Sequence, residues 1–78
     1  MVLVISYRLD CRGLYDPWLI VLIRRNLDRM RPGEILEVLS DDPGSMSDMR
    51  AWAKLTGNNL LDARCLDNIY RFYVQKKL

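Results

Sequence analysis

Two residue types in this chain could do chemistry: a pair of cysteines, and an aspartate placed directly before a proline. Asp16 and Pro17 follow Cys11 and a turn at Gly13, a pattern that predicts a strand end, a loop and a helix start. We expect Asp16 to cap that helix and Pro17 to take its first helical position, where the missing N–H costs nothing. A helix N-terminus carries about half a positive charge and stabilises an anion, whether carboxylate, phosphate or thiolate. The side chain at position 16 therefore decides which chemistry this loop supports.

Several kinds of site are excluded by the residues that the chain lacks. It has two cysteines and no histidine, so histidine-based general base catalysis is excluded. Two thiols without an imidazole also fall short of the four ligands of a structural zinc site. Two cysteines do not make a disulfide framework either. We expect reduced thiols, a cytoplasmic location, no metal and no cofactor.

Size and charge are those of one ordinary globular domain. The 78 residues are half apolar and 28% charged, which suits a single core, and we predict one domain over residues 1–78. The net charge of +2 is spread evenly along the chain, whereas a nucleic-acid binder concentrates its positive charge. No apolar run approaches the roughly 18 residues that span a bilayer. Residues 1–8 alternate as a strand does, so we expect no secretory signal. We therefore expect neither nucleic-acid nor membrane binding.

Hydrophobic periodicity in the first half predicts a strand, a helix and a strand. The first strand lies within residues 3–9, where Leu3, Ile5, Tyr7 and Leu9 alternate with other residues. The helix runs from residue 16 to about residue 30, and a turn at Pro32-Gly33 ends it. Its core face is formed by Leu19, Ile20, Ile23, Leu27 and Met30. The second strand covers residues 34–40, with Leu36 and Val38 toward the core.

The second half predicts one helix and two strands. Ser45 and Asp48 have the spacing of a capping box, with Ser45 as the cap, and Gly57 is expected to end the helix in a left-handed conformation. The inward residues of this helix are predicted to be Met49, Trp52, Ala53 and Leu55. Strands follow at residues 60–65 and 69–75, and Cys65 shares alternation with Leu61 and Ala63, so it is predicted to face the core. The expected fold is α+β, a two-layer α/β sandwich of order β-α-β-α-β-β with both helices on one face of a four-stranded mixed sheet.

The first helix is apolar on more than its core face. Trp18, Val21 and Leu22 fall on the opposite side, beside Arg25 and Arg29. Such a surface is either covered by loops or by self-association, or it docks onto another protein. Tryptophan and arginine are the residue types that anchor interfaces.

The basic residues of the same helix allow three interpretations. In and just after the helix, one acid, Asp28, is outnumbered by basic residues, which are Arg24, Arg25, Arg29 and Arg31. They form a solvated face, meet an acidic patch on a partner protein, or contact an RNA backbone.

A set of short motifs runs through the whole chain in a fixed order. The pieces are Leu9-Asp10, Gly13-Leu14, Pro17, Pro32-Gly33-Glu34, Asp41-Asp42-Pro43, Asp48 and Tyr70-Arg71-Phe72. With these spacings the sequence resembles the TusA/SirA family of small sulfur-carrier proteins. The resemblance implies a two-layer α/β sandwich that carries sulfur as a persulfide. It also implies protein partners, a cysteine desulfurase or a downstream sulfur carrier, and outcomes such as tRNA thiolation or sulfur oxidation.

One departure from the family pattern bears directly on activity. The resemblance implies a Cys-Pro-x-Pro motif at the start of the first helix, but this chain has Asp16-Pro17-Trp18-Leu19 there. A carboxylate cannot form a persulfide, so the family's acceptor role does not carry over to position 16. Asp16 is then a helix cap, a mimic of a charged or loaded cysteine, or a replacement made in the laboratory.

Two functional hypotheses and a weaker third follow. The first is a non-catalytic or divergent member that binds sulfur-relay partners through Asp16, Pro17, Trp18 and their neighbours. The second is an active carrier in which Cys11, otherwise a small apolar residue at a strand end, has become the sulfur acceptor. The third is a small RNA-associated domain that uses the basic helix.

Overall fold

The elements of the fold follow the order that the periodicity predicts. A computed structural model describes residues 3–15 and 17–78. Its elements are β1 (Tyr7–Asp10), α1 (Trp18–Arg29), β2 (Ile35–Ser40), α2 (Ser45–Thr56), β3 (Asn59–Leu66) and β4 (Ile69–Gln75). The predicted α+β class and the order β-α-β-α-β-β are confirmed.

The sheet is mixed, with the strand order β1-β2-β4-β3. β1 runs parallel to β2, which requires the crossover that α1 supplies, while β4 is antiparallel to both β2 and β3. Leu36 and Val38 of β2 pair with Val74 and Phe72 of β4, and all four side chains are fully buried. The helices supply the other half of this core, with Leu19, Ile23 and Leu27 from α1 and Met49 from α2.

The start of the chain differs from the predicted strand. β1 covers Tyr7–Asp10 and not the stretch from Leu3. Its parallel register pairs Tyr7 with Leu36, and the Ser6 amide still donates to the Ile35 carbonyl at 2.9 Å. Residues 3–5 lie beyond the point where β2 begins, so β2 offers them no partner.

The helix starts also differ from the predictions. Pro17 is the N-cap of α1 and Trp18 the first helical residue, one position later than expected. Ser45 is the first residue of α2 and not its cap. Its hydroxyl donates to the Asp42 carbonyl at 2.7 Å and accepts no hydrogen bond from a backbone N–H of the helix. Gly44 takes the cap position without a side-chain hydrogen bond, so the predicted capping box is wrong. The helix does end at Gly57 with a φ of 78°, as predicted.

Two side chains expected in the core are exposed. Leu55 is 87% exposed on α2, while Trp52 and Ala53 on the same helix are half-buried. Cys65 is exposed as well, although it shares a face of β3 with Ala63, which packs against the core. The bulge at the register shift between Leu60 and Asp62 precedes both residues. Beyond the bulge Cys65 pairs with Tyr70 at the hairpin end of the strand.

The residues after β4 tie both helix ends to the sheet. The Lys76 ammonium donates to the Met30 carbonyl at 2.7 Å, at the end of α1. The Lys77 ammonium donates to the Thr56 carbonyl at 3.0 Å, at the end of α2. Carbonyls in the last turn of a helix lack intrahelical partners and carry partial negative charge, so two consecutive lysines satisfy one orphan acceptor on each helix.

Candidate functional site

The loop between β1 and α1 is anchored by backbone hydrogen bonds on both sides. The Cys11 amide donates to the Leu39 carbonyl at 2.8 Å and extends the pairing of β1 with β2. Gly13 has a φ of 83°, a conformation that favours glycine, and its amide donates to Asp41 Oδ1 at 3.0 Å. Asp41 belongs to the loop that follows β2, so the two loops are fixed to each other at this edge of the molecule.

A bidentate ion pair stiffens the first turn of this loop. Arg12 Nε donates to Asp10 Oδ1 at 3.0 Å and one terminal nitrogen donates to Asp10 Oδ2 at 2.8 Å, while the Arg12 amide also donates to Oδ1 at 3.0 Å. The Arg12 side chain, and then its backbone N–H, lower the pKa of Asp10 from its usual 3.8 to about 2. The carboxylate therefore stays ionised well into acid.

Replacing Arg12 with glutamine is expected to raise the pKa of the Asp10 carboxyl toward its usual value, because the side-chain hydrogen bonds and the charge are lost while the backbone N–H of residue 12 still donates. Because the folded-state pKa is depressed, the stabilisation is present above about pH 4 and is lost as the pH falls through about 2. An NMR titration of the Asp10 carboxyl carbon in wild type and Arg12→Gln measures the shift, with Arg50→Gln as a control. An unchanged Asp10 titration in Arg12→Gln would show that the ion pair does not form in solution.

The helix that follows the loop starts with its first backbone hydrogen bonds in place. The Pro17 carbonyl accepts from the Val21 amide at 3.2 Å, and the Tyr15 carbonyl accepts from the Trp18 amide at 2.9 Å. Asp16 lies outside the described residues, and the N-cap position predicted for it is occupied by Pro17. The positive end of the α1 dipole lies at Pro17, directly after position 16 in the sequence.

An aromatic and basic surface continues from this loop along one side of α1. Tyr15 is 64% exposed and Trp18 is 60% exposed, while Val21 is half-buried. Leu22 is also half-buried and packs against the core, so its predicted placement away from the core is wrong. We call this surface the Trp18 patch; its residues are Tyr15, Pro17, Trp18, Val21, Leu22, Arg25 and Arg29.

Tyr15 is the member of the patch that sequence reasoning did not include. The helical wheel covers only residues within the helix, and Tyr15 precedes it. The signal in the sequence is a large aromatic residue directly beside position 16, in a loop where exposed side chains tend to carry function.

The arginines of α1 are not neutralised by nearby acids in the described part of the chain. The ion pairs found within residues 3–15 and 17–78 join Arg8 to Glu37, Arg12 to Asp10 and Arg64 to Asp62. None of these involves Arg24, Arg25 or Arg29, all of which are exposed. This side of the helix therefore presents positive charge that is free to meet an acidic surface.

The two thiols have opposite surroundings. Cys11 is fully buried, and burial, followed by the charge of Asp10, raises its pKa from 9.0 to about 11. At pH 7 only about one thiol in ten thousand would be ionised, and the thiolate is the reactive form. Cys65 is exposed and lies at the C-terminal end of β3, next to the hairpin turn and on the opposite side of the sheet from β1.

Two further kinds of site are missing from the described residues. Across residues 3–15 and 17–78, no three histidine, cysteine or acidic side chains come together in a group able to hold a metal ion. In the same residues, no helix is both long enough and apolar enough to cross a membrane.

Comparison with known proteins decides the family. The family model described as Sulfurtransferase TusA matches residues 7–76, which include every element, the loop and the Trp18 patch. The chain belongs to the TusA family. The resemblance seen in the short motifs is thereby confirmed.

Relatives in the TusA family cover nearly the same length. A putative sulfur carrier protein of Halobacterium salinarum is 42% identical over 73 residues, which are 92% of this chain and 90% of that protein. The sulfur carrier protein TusA of Allochromatium vinosum is 37% identical over 68 residues, 87% of this chain and 90% of that protein.

A solved structure supports the same fold at lower identity. The SirA-like protein of Desulfitobacterium hafniense superposes with a TM-score of 0.79 and covers 94% of this chain and 100% of its own. At 16% identity this likeness shows the fold alone.

Proposed function

We propose that this TusA-family protein binds sulfur-relay partners through the Trp18 patch without accepting sulfur at position 16. The observation that carries the proposal is the exposed pair of Tyr15 and Trp18 on either side of the Asp16-Pro17 junction. A surface with two large exposed aromatic side chains and uncompensated arginines is typical of a protein interface.

The chemistry of sulfur transfer explains why binding and transfer can be separated. In a transfer between persulfides, the acceptor thiolate attacks the terminal sulfur of the donor persulfide. A new sulfur–sulfur bond forms, the donor's own sulfur–sulfur bond breaks, and the donor leaves as a thiolate. The step needs a nucleophilic sulfur on the acceptor, and the Asp16 carboxylate supplies none. Docking needs no thiol, so a protein that has lost the acceptor cysteine can still bind its partner.

The partner that suits this patch is a sulfur-relay protein with an acidic, partly apolar surface, such as a cysteine desulfurase or a downstream sulfur carrier. Trp18 offers the apolar anchor, and Arg25 and Arg29 on the same side of α1 offer the positive charge. Self-association through the same patch is the competing use of this surface.

The alternative carrier that uses Cys11 gains no support from the geometry. Its thiol is fully buried beneath the loop, and its raised pKa disfavours the thiolate. The RNA hypothesis would use the same exposed aromatic and basic side chains of the Trp18 patch. The even spread of charge along the chain favours an acidic protein partner over a nucleic acid.

Replacing Trp18 with alanine is expected to weaken partner binding strongly while leaving the fold intact. Loss of an interface anchor costs about 2 kcal/mol or more, which is roughly 30-fold in the dissociation constant. The measurement is a titration with a cysteine desulfurase from the same source, by calorimetry or surface immobilisation.

Val4→Ala provides the control, because Val4 is 80% exposed and precedes β1, at the end of that strand opposite the loop that leads to position 16. Equal affinity in wild type and Trp18→Ala would remove the patch from the proposal. Sedimentation of the free protein tests self-association, and a dimer that Trp18→Ala converts to a monomer would assign the patch to a second copy of the chain instead.

A further inference from the structure

A recess lies between the two helices, on the side of α1 away from the Trp18 patch. It encloses about 520 Å³, and apolar side chains from both helices line it. These are Ile20 and Leu27 of α1 and Trp52 and Leu55 of α2. The volume lies within the range of about 300–1,000 Å³ that is usual for small-molecule sites.

The apolar lining of the recess is not fully covered by the protein itself. Leu55 is 87% exposed and Trp52 is half-buried, although Leu27 beneath them is only 4% exposed. A ligand with an apolar body that covers Leu55 and Trp52 removes this surface from water, which is favourable at about 25 cal/mol per Å².

The rim of the recess is positively charged. Arg24, Lys76 and Lys77 line it, against one acid, Asp28. Each lysine ammonium donates one hydrogen bond to a helix-end carbonyl, at Met30 and Thr56. An ammonium has three N–H donors, so each lysine keeps donors for a bound anion while its position is held by the backbone.

We propose that this recess binds a small aliphatic carboxylate, with the hydrocarbon chain over Leu55 and Trp52 and the carboxylate at the cationic rim. The charge of the rim selects an anion, and the aliphatic lining selects an extended hydrocarbon body. The size of the recess favours a small ligand over a partner helix, which needs anchor pockets along several turns. The site goes beyond the docking function and does not depend on it.

Octanoate is the probe for this site, and Trp52 is the reporter. In a Trp18→Phe background Trp52 is the sole tryptophan of the chain, and titration with octanoate below its micelle-forming concentration is expected to give a saturable change in its emission. Calorimetry on the wild-type protein is expected to give the same dissociation constant.

Two variants test the two halves of the site. Arg24→Gln removes one rim charge and is expected to raise the dissociation constant of octanoate about three-fold to five-fold, which corresponds to the upper part of the free energy range of an exposed ion pair. Leu55→Asp places a carboxylate against the ligand and is expected to weaken it by about ten-fold or more. Both residues are exposed, so neither change threatens the fold. Arg50→Gln, an exposed arginine of α2 that does not line the recess, is expected to bind octanoate as wild type does.

Comparison with 1-octanol tests the role of charge. The alcohol has the same hydrocarbon chain without the carboxylate and is expected to bind at least about three-fold more weakly. Equal binding of octanol and octanoate, equal losses in Arg24→Gln and Arg50→Gln, or no emission change and no heat at millimolar octanoate would each overturn the proposal.

Discussion

A cysteine introduced at position 16 is expected to turn this protein into a sulfur acceptor. The chain belongs to the TusA family and keeps Pro17 after position 16, and the positive end of the α1 dipole at Pro17 favours the thiolate that persulfide transfer requires. After incubation of Asp16→Cys with a cysteine desulfurase and cysteine, intact-mass measurement is expected to show one added sulfur atom. Reduction with a thiol reagent is expected to remove it.

Wild type and Asp16→Ser are the controls for this result. Both keep Cys11 and Cys65, so any sulfur on those residues appears in all three proteins. No adduct on Asp16→Cys, under conditions that load an active carrier, would contradict the assignment of position 16 as the lost acceptor position. An adduct on wild type that disappears in Cys11→Ala would instead support the active carrier that uses Cys11.

Replacing Phe72 with alanine is expected to cost about half of the free energy of unfolding. Phe72 is fully buried in β4, an inner strand of the sheet, between Val38 on one side and Ala63 on the other. Such a truncation costs about 3–5 kcal/mol. At roughly 0.05–0.15 kcal/mol per residue, a chain of this length has only about 4–12 kcal/mol in total. Urea unfolding of wild type and variant, followed by circular dichroism, measures the loss.

Leu66→Ala is the matched control for the core. The same kind of truncation at an exposed position is expected to change the free energy of unfolding by no more than about 0.5 kcal/mol. If Phe72→Ala and Leu66→Ala were equally stable, the core around β4 would not be the one described.

The helix faces and the inner strands could be predicted from the sequence because their periodicity is set by the core they share. Leu19, Ile23 and Leu27 recur at the helical spacing, and the structure buries all three. The features that were missed depend on neighbours that periodicity does not reveal. β1 begins at Tyr7 because β2 extends no further than Ile35 in that direction. Cys65 keeps the alternation of Ala63 but lies at the hairpin end of β3, where it is exposed.

The exposure of Trp18 could be predicted from the sequence, whereas the binding role of the candidate site residues stays a prediction. The exposed face of Trp18 follows from the helical wheel, since a tryptophan opposite the core stripe has nothing to pack against. Tyr15 lies in a loop, where no wheel applies. Ser45 is a residue type that often caps helices, but its hydroxyl donates to the backbone carbonyl of Asp42 in the turn before α2. Sequence spacing alone does not distinguish these two uses of a serine.

The loop that leads to position 16 follows β1, the shortest strand of the described sheet. β1 has four residues and pairs only with β2, whereas β4 is paired along both sides. Elements with few partners open locally at a lower free energy than the rest of a domain. The hydrogen bonds from Cys11 to Leu39 and from Gly13 to Asp41 therefore hold a strand that its own pairing supports on one side.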